Sequence, residues 1–426
     1  MKKFISIVLC ISMIFSLCSV FAGAETVEVT HEDKVYEIDT TYPFVFVHGM
    51  GGWGPDYEEM PYWGGWAASE GNIIETYNSL GIEAYAATVG PFNSAWDRAC
   101  ELYAQLTGTV VDYGKAHSEE HNHDRYGYDY SERCLMGSAW DCETPLNFVG
   151  HSFGGPTVRL FSSLLAYGDE TELAATGDET SPLFKGGKGD SIHAVITFSG
   201  VHNGSPIANL IHDNKAIMTV IAFFANIIGM VFGREILMFD VQLGHFGILP
   251  REDQERATFN PEGIMNFATI GDNCGSDMTL QGAKELNEKI KLYPGTYYYS
   301  YSTIACNKTA VGTYVPIAST FTLFYPTSLY IGALEGKTID GVYMDENWAI
   351  NDGIVPLASA LYPSNNADTA KNYEDAVAKG EEIESGRWYY MTPSEGFDHF
   401  DYCGTIDYPT SFEDFYFTMA QTVNKY

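Results

Sequence analysis

The stretch Leu146 to Gly155, L-N-F-V-G-H-S-F-G-G, predicts a strand, a sharp turn and a helix. An apolar run with strand character ends at Gly150, and apolar residues take up helical spacing from Thr157. Glycines two residues before and two residues after Ser152 let the backbone turn tightly and project the serine hydroxyl above a sheet. The stretch therefore indicates a nucleophile elbow with Ser152 as the candidate nucleophile. An isolated G-x-S-x-G also fits a plain glycine turn.

The rest of the chain alternates strand-like and helix-like segments, which is typical of an α/β fold with a mainly parallel central sheet. With 426 residues, of which 45% are hydrophobic, the chain can bury a sizeable core. We predict a single domain over residues 25–426. Within it, residues 168–188 are polar and Gly-rich, which predicts a connection, and residues 412–425 predict a closing amphipathic helix.

A second glycine-rich turn lies upstream of the elbow. The β-rich run Phe44 to Val47 stops at H-G-M-G-G-W-G, residues 48–54. In an α/β-hydrolase, such a loop presents one backbone N–H to a developing oxyanion, and the residue after the nucleophile presents a second. The predicted donors are the N–H groups of Met50 and Phe153. The alternative is an ordinary glycine loop.

Two residues late in the chain complete a catalytic set. Asp352 lies in the turn N-D-G-I-V after a strand-like segment, and His399 lies in the loop E-G-F-D-H-F-D. Either residue alone would be read as a turn cap or a surface histidine. The order Ser152, Asp352, His399 is the nucleophile, acid and base order of α/β-hydrolases, so it predicts a Ser-His-Asp triad.

The first 24 residues predict a removed signal peptide. Lys2 and Lys3 precede an apolar run over residues 4–21, and A-G-A follows as a cleavage site. The alternative, an uncleaved membrane anchor, is disfavoured because the run is short. We therefore predict a secreted, extracellular protein without integral membrane association.

The charge of the chain is strongly acidic. The formal charge is −33 at pH 7, and loss of Lys2 and Lys3 takes it to −35. This charge argues against nucleic acid as a partner and against anionic membranes, whereas a neutral lipid surface is compatible with it. A solvated acidic surface that keeps an exported protein soluble accounts for most of the charge.

Cysteine usage fits an exported protein. Six cysteines follow the signal peptide, and Cys134 and Cys142, eight residues apart, are the pair that we expect to form a disulfide. Spacing alone does not fix the connectivity. The sequence contains no C-x-x-C, so a cysteine zinc site is unsupported.

Three histidines, His117, His121 and His123, fall within seven residues, downstream of Asp97. Imidazole and carboxylate groups are common zinc ligands, so this spacing can supply a metal site. The same cluster also fits a solvated polar loop.

Four motifs resemble the zinc-binding, thermoalkalophilic lipases of bacilli and their staphylococcal relatives. They are H-G-M-G-G-W-G (48–54), Y-W-G-G (62–65), V-G-P-F-N-S-A-W-D-R-A-C-E-L-Y-A-Q-L (89–106) and V-D-Y-G-K-A-H-S-E-E-H-N-H (111–123). The resemblance runs from about Tyr42 to the C-terminus. It implies an α/β-hydrolase with a zinc-binding insertion over about 53–130 and a helical lid over about 205–250.

The resemblance also implies one structural zinc. Two imidazoles and two carboxylates fill a tetrahedral shell and leave no open position for catalysis. Motif by motif, the ligands are Asp97, His117, His123 and Asp272. On spacing, His121 and Cys274 remain alternative ligands.

A calcium site is implied just beyond His399. Asp401 matches the first carboxylate of the family, with aspartate in place of glutamate, and Asp407 matches the second. Asp407 lies one residue further along than the family spacing. Calcium accepts flexible oxygen geometry, so the site is compatible with this shift.

Residues 216–232 are apolar apart from Thr219, Asn226 and Gly229. The resemblance assigns this segment to a lid that would cover the site in water and present its apolar face to lipid. A buried core helix and a membrane span are the alternatives, although the run is short for a bilayer.

Together, these observations predict a secreted serine carboxylester hydrolase. The favoured reading is a triacylglycerol lipase that works through an acyl-enzyme on ester substrates at a lipid–water interface. One alternative is an esterase or polyester hydrolase acting on short soluble or polymeric esters. Another is a non-catalytic lipid-binding protein on a hydrolase scaffold. The sequence does not determine acyl chain length or oligomeric state.

Overall fold

The structure is a computed structural model, and it describes residues 26–55, 61–64, 71–212, 219, 222–227, 230, 241–404 and 412–426. Numbered in chain order over these residues, the strands are β1 Thr26–His31, β2 Lys34–Asp39, β3 Phe44–Val47, β4 Ala84–Ala87, β5 Val110–Asp112, β6 Tyr126–Asp129, β7 Leu146–His151, β8 Ile192–Phe198, β9 Tyr297–Tyr301, β10 Thr303–Ile304, β11 Cys306–Lys308, β12 Tyr314–Pro316, β13 Thr338–Ile339, β14 Val342–Tyr343, β15 Lys371–Asn372, β16 Trp388–Tyr390 and β17 Ser394–Glu395.

Seven of these strands form a central sheet in the order β15-β16-β9-β8-β7-β3-β4. Every neighbouring pair in it is parallel. Strands β3, β7 and β8 are buried along their whole length, which explains why their sequences are predominantly apolar on both faces. The predicted α/β-hydrolase fold with a mainly parallel sheet is confirmed.

Helices cover both faces of this sheet. Over the described residues the α-helices are Ile73–Ser79, Ala95–Thr107, Lys115–His121, Gly154–Tyr167, Glu170–Thr176, Pro182–Lys185, Pro206–His212, Pro261–Thr269, Cys274–Asp277, Leu280–Lys289, Tyr325–Gly332, Glu346–Ala349, Leu357–Ala360, Tyr373–Ala378 and Phe412–Val423. In addition, residues 222–227 are helical.

Alternating side chains of the strands pack into two separate cores. On β3, Val45 and Val47 face a core that includes helices Ala95–Thr107 and Gly154–Tyr167. Phe44 and Phe46 face the opposite core, which includes the closing helix Phe412–Val423. Because side chains of a strand alternate between faces, a four-residue apolar strand is enough to anchor both layers.

The structure adds helices to one predicted connection and shows that one predicted strand is wrong. Residues 168–188 contain the helices Glu170–Thr176 and Pro182–Lys185; the first begins where Asp169 accepts hydrogen bonds from two backbone N–H groups. The segment before Asp352 is the short helix Glu346–Ala349, capped by Asp345, and not a strand. In both places an aspartate cap starts a helix that polar or aromatic composition had hidden.

The expected disulfide is also absent from the structure. Cys134 and Cys142 are both free thiols. The Cys134 sulfur packs against Gly108 at the end of helix Ala95–Thr107, whereas the Cys142 sulfur lies 3.5 Å from the Lys188 ammonium. Different parts of the fold hold the two residues, so nearness in sequence does not bring the sulfurs together.

Several predictions fall partly or wholly outside the described residues. They concern the signal peptide over residues 1–24, the second calcium ligand Asp407, and most of the lid segment 216–232. In the described part of that segment Ala222 is buried, whereas Phe223 and Phe224 are 41% and 59% exposed. Over the whole described portion, no helix has both the length and the apolar character that crossing a bilayer requires.

Asp414 ties the N-terminal hairpin to the closing helix. Its carboxylate accepts from Lys34 Nζ at 2.6 Å and contacts His31 Nδ1 at 2.9 Å. Burial opposes ionisation, but hydrogen bonds from Lys34, Tyr36 and His31 outweigh it and lower the pKa of Asp414 to about 2. A lowered pKa adds stability above the unfolded pKa of 3.8, and this stability is lost as the pH falls towards 2.

We therefore expect Asp414→Asn to unfold at lower urea concentration than the parent at pH 7, with the deficit shrinking below about pH 4. The measurement is the urea midpoint against pH. A deficit that stays constant across this range would show that the carboxylate charge is not the cause.

Candidate active site

Strand β7 delivers Ser152 to the carboxyl edge of the sheet. The serine has φ of +55°, in the left-handed region that residues other than glycine rarely adopt. A Cβ on Gly150 would lie 2.3 Å from the Gly154 carbonyl oxygen, and a Cβ on Gly154 would lie 2.3 Å from the Val47 carbonyl oxygen. Only glycine fits at either position, and the result is the strained turn that a nucleophile elbow requires.

The loop after β3 lies directly beside Ser152, the candidate nucleophile. A Cβ on Gly49 would be 2.7 Å from the Ser152 Cβ, so the chain passes Ser152 at the closest approach that glycine allows. The loop is held in place by Gly51 N–H, which donates to the Pro91 carbonyl at 3.0 Å. This arrangement sets the predicted donors, the Met50 and Phe153 N–H groups, on two segments that meet at Ser152.

Asp352 and His399 form a buried pair. The His399 Nδ1 lies 2.8 Å from Asp352 Oδ2, and the two side chains are 3% and 1% exposed. The other carboxylate oxygen, Oδ1, accepts from the N–H groups of Ile354 at 3.0 Å and Val355 at 2.8 Å. These two N–H groups fix the carboxylate, so that Oδ2 faces Nδ1 as a hydrogen-bond acceptor.

A hydrogen-bonded chain connects His399 to the elbow and to the glycine loop. The His399 carbonyl accepts from His151 Nε2 at 2.8 Å, and His151 is the residue before Ser152. Since that nitrogen is the donor, His151 Nδ1 accepts from the Tyr62 hydroxyl at 2.6 Å. Tyr62 in turn accepts from Gly49 N–H at 3.1 Å. Burial holds the pKa of His151 well below its usual value, and the nearby His399 lowers it further. His151 therefore stays neutral in this series of hydrogen bonds.

A second cluster lies in the predicted insertion. One donor atom from each of Asp97, His117, His123 and Asp272 lies within 4.8 Å of the others. His123 Nε2 is 3.1 Å from Asp272 Oδ2, and His117 Nε2 is 3.2 Å from the same oxygen and 3.3 Å from Asp97 Oδ1. The structure thus brings together the four residues that the resemblance names.

The donor chemistry of this cluster fits a zinc ion. Two buried atoms that face the cluster are Asp97 Oδ1 and His123 Nε2. Despite the short distances, neither forms a hydrogen bond of acceptable geometry with a described residue. His123 Nδ1 donates to the Asp124 carbonyl at 2.8 Å, which leaves Nε2 as the nitrogen available to a metal. Burial lowers the pKa of His117, but Asp272 and Asp97 outweigh it and raise the pKa to about 10. The two buried carboxylates therefore strongly favour a positive charge in this cluster.

The two alternative ligands lie outside the four-donor set. The His121 ring lies beside that of His117, with centroids 4.4 Å apart and an angle of 43° between the ring planes. Cys274 is buried, and its backbone N–H donates to the Phe92 carbonyl at 3.0 Å. Geometry thus favours Asp97, His117, His123 and Asp272 over either alternative.

Asp401, the first candidate calcium ligand, is buried two residues beyond His399, the candidate base. Its Oδ2 accepts from the Asp398 N–H at 2.5 Å. Burial raises the pKa of Asp401 to about 8, with a smaller contribution from the neighbouring Asp398. A bound cation would favour the ionised form of this pair of carboxyl groups.

The parallel sheet, the elbow and the Asp352–His399 pair define this chain as an α/β-hydrolase. A family model described as "Lipase-like, C-terminal domain" matches residues 40–423, and the chain belongs to this family. The family resemblance predicted from the motifs is confirmed.

Similar proteins include staphylococcal lipases. The "Lipase" of Staphylococcus hyicus is 31% identical over 369 residues, covering 85% of this chain and 53% of that protein. "Lipase 2" of Staphylococcus aureus is 31% identical over 415 residues, covering 95% and 55%. The chain spans about half the length of these curated relatives.

Solved structures give a matching result. The Staphylococcus hyicus lipase structure has a TM-score of 0.76 at 29% identity and covers 90% of this chain and 96% of that one. EstA from Clostridium botulinum has a TM-score of 0.75 at 30% identity, with coverage of 96% and 92%.

Sequence reasoning missed three residues that shape these sites. Tyr62 lay inside the quoted Y-W-G-G motif, and His151 inside the elbow, but nothing in one sequence showed their contacts. His245 Nε2 lies 3.1 Å from Asp97 Oδ2, across 148 positions of the chain. No local spacing could have linked His245 to Asp97.

Proposed function

We propose that this chain is a serine carboxylester hydrolase, a triacylglycerol lipase that uses Ser152, His399 and Asp352. The 2.8 Å contact between His399 Nδ1 and Asp352 Oδ2, beside a serine held at positive φ, carries the proposal. The names of the staphylococcal relatives support it.

In the proposed reaction, His399 Nε2 takes the proton of Ser152 Oγ as that oxygen attacks the ester carbonyl carbon. Asp352 holds the imidazole in the required tautomer and stabilises the imidazolium that forms. His399 then returns the proton to the leaving alkoxide as the bond between carbonyl carbon and alkoxy oxygen breaks. Water attacks the resulting acyl-enzyme with His399 again as base, which releases the carboxylic acid.

Negative charge develops on the carbonyl oxygen during both attacks. The N–H groups of Met50 and Phe153 are the proposed donors to this oxyanion. Phe153 caps the helix Gly154–Tyr167 at its N-terminus, where the helix dipole also favours negative charge.

A lipid–water interface is the proposed setting for the reaction. Phe223, Phe224 and Phe259 are 41%, 59% and 54% exposed, and the Phe223 ring centroid lies 5.9 Å from that of Phe224 and 6.5 Å from that of Phe259. Exposed clusters of aromatic side chains suit an apolar surface, and the acidic chain suits a neutral one. We also propose secretion, since residues 1–24 have signal peptide character.

The test is turnover of p-nitrophenyl esters from acetate to palmitate and of emulsified triacylglycerol, by the parent and by Ser152→Ala. Activity on long chains and emulsion that Ser152→Ala loses supports a lipase. Activity confined to short esters would identify an esterase, and polyester film would then be the next substrate. A parent that hydrolyses none of these esters would contradict the proposal.

We also propose a structural zinc ion held by Asp97, His117, His123 and Asp272. When bound, it would join helices Ala95–Thr107 and Lys115–His121 to the loop before Cys274 without supplying an open coordination position. Calcium at Asp401 and Asp407 is proposed on the family resemblance, and the same metal analysis would detect it.

Metal analysis should find about one zinc per purified chain, because two imidazoles and two carboxylates complete its shell. We expect His123→Ala to lose the zinc and to unfold at lower temperature. The matched control is His121→Ala, which removes a neighbouring imidazole outside the donor set and should keep the metal. Equal zinc content in both variants, or none in the parent, would contradict the assignment.

A further inference from the structure

We propose that Arg98 is a positioning residue of the oxyanion hole, which it orients and polarises from behind. This inference rests on the proposed function, because an oxyanion forms only if Ser152 attacks an ester. Arg98 belongs to helix Ala95–Thr107 and is fully buried.

The guanidinium contacts both segments that carry the candidate donors. Its Nη2 donates to the His48 carbonyl, and its Nη1 lies 3.4 Å from the Gly49 carbonyl oxygen. Its central carbon lies 5.1 Å from the centroid of the Phe153 ring. One side chain therefore connects the glycine loop to the residue after the nucleophile.

The Gly49 carbonyl matters because it belongs to the same peptide unit as the Met50 N–H. In a trans peptide the C=O and N–H point in opposite directions, so a donor that fixes the carbonyl also aims the N–H. A positive charge at the carbonyl oxygen further polarises the peptide and strengthens its N–H as a donor. His48 Nδ1 at 2.9 Å and Gly52 N–H at 3.2 Å reinforce the same carbonyl.

Arg98 is a buried cation without a contact ion pair. Among the described residues no carboxylate lies at ion-pair distance from it; Glu101 and Asp277 attract it only from further away, and its buried Nε has no hydrogen-bond partner. Unlike Arg159, it places its charge against the carbonyls of His48 and Gly49. A fixed positive charge behind the oxyanion hole favours the transition state over the neutral ester.

The test compares Arg98→Met with Arg159→Met. Arg159 is a matched control, since it is equally buried but bonds to Asn287 and His202 away from the oxyanion loop. Titration with a fluorescent alkyl phosphonate counts the competent sites, so kcat is expressed per folded site. We expect Arg98→Met to lower kcat about 10- to 100-fold with KM changed less than about threefold, because the effect is confined to the transition state.

Inhibitors give a second readout that a purely structural role would not produce. A trifluoromethyl ketone forms a tetrahedral oxyanion on the serine. The matching methyl ketone binds but forms this adduct to a much smaller extent. Arg98→Met should weaken the trifluoromethyl ketone in parallel with kcat and leave the methyl ketone within about threefold. Arg159→Met should change neither the ratio of the two inhibition constants nor kcat per site.

If Arg98→Met does not fold, Arg98→Lys decides the question. Its single ammonium keeps the charge but cannot reproduce the planar fork, so an intermediate loss of kcat is expected. Parent-like kcat in Arg98→Lys would then overturn the inference, as would equal kcat per site in Arg98→Met and Arg159→Met. A parent without ester turnover or phosphonate labelling would refute the proposed function itself.

Discussion

Replacing Ser152 with alanine should lower ester turnover about a million-fold, the scale seen when a triad nucleophile is removed. The reason is that Ser152 supplies the hydroxyl of the elbow. Its φ is positive, and the glycine loop packs against its Cβ. Without the Ser152 oxygen, no acyl-enzyme forms, and only weak stabilisation of direct attack by water is left. The measurement is kcat/KM on a p-nitrophenyl ester together with phosphonate labelling.

The control for this substitution is Ser163→Ala. Ser163 lies on the following helix and is 6% exposed, and its hydroxyl accepts from Lys291 N–H at 3.1 Å. Its loss removes a buried hydroxyl without touching Asp352 or His399, so turnover per folded chain should stay within about twofold of the parent. Substantial turnover in Ser152→Ala would sink the triad assignment.

Asp352→Asn should lower kcat about 10,000-fold while leaving the fold intact. The N–H groups of Ile354 and Val355 donate to Oδ1, so the asparagine carbonyl oxygen will occupy that position. Its amide nitrogen then faces His399 Nδ1 and donates to it. This forces the imidazole proton onto Nε2, the nitrogen that must accept the proton of Ser152.

The matched control for this change is Asp345→Asn on the same segment. Asp345 caps the helix Glu346–Ala349 by accepting from the Trp348 N–H, and asparagine caps a helix equally well. We expect unchanged kcat there. If Asp352→Asn kept more than about a tenth of parental kcat, His399 would have to be oriented by another group.

The elbow illustrates why part of this protein could be predicted. Gly150, Ser152 and Gly154 are close in sequence, and the steric reason for the two glycines is local, so one sequence sufficed to predict the turn. The parallel sheet was predicted from the alternation of strand-like and helix-like segments along the chain. The members of the proposed triad are distant in sequence, and only their order pointed to them.

Other features had no local signal. The helices within residues 168–188 were hidden by polar composition, and Cys134 and Cys142 suggested a disulfide on nearness alone. The proposed zinc ligands came from a family resemblance, since spacing could not separate His123 from His121. The structure distinguishes them by hydrogen bonding: His123 Nδ1 donates to the Asp124 carbonyl, and its Nε2 faces Asp272.

The sequence by itself determined the elements whose causes lie within a few residues: the apolar strands, the glycine turns beside Ser152, and the acidic composition. Tertiary structure alone decided which distant groups meet. It placed Tyr62 between Gly49 and His151, and it set Arg98 behind the loop that carries Met50. The physical reason is that backbone conformation responds to local sterics, whereas hydrogen bonds between buried side chains depend on how whole layers pack.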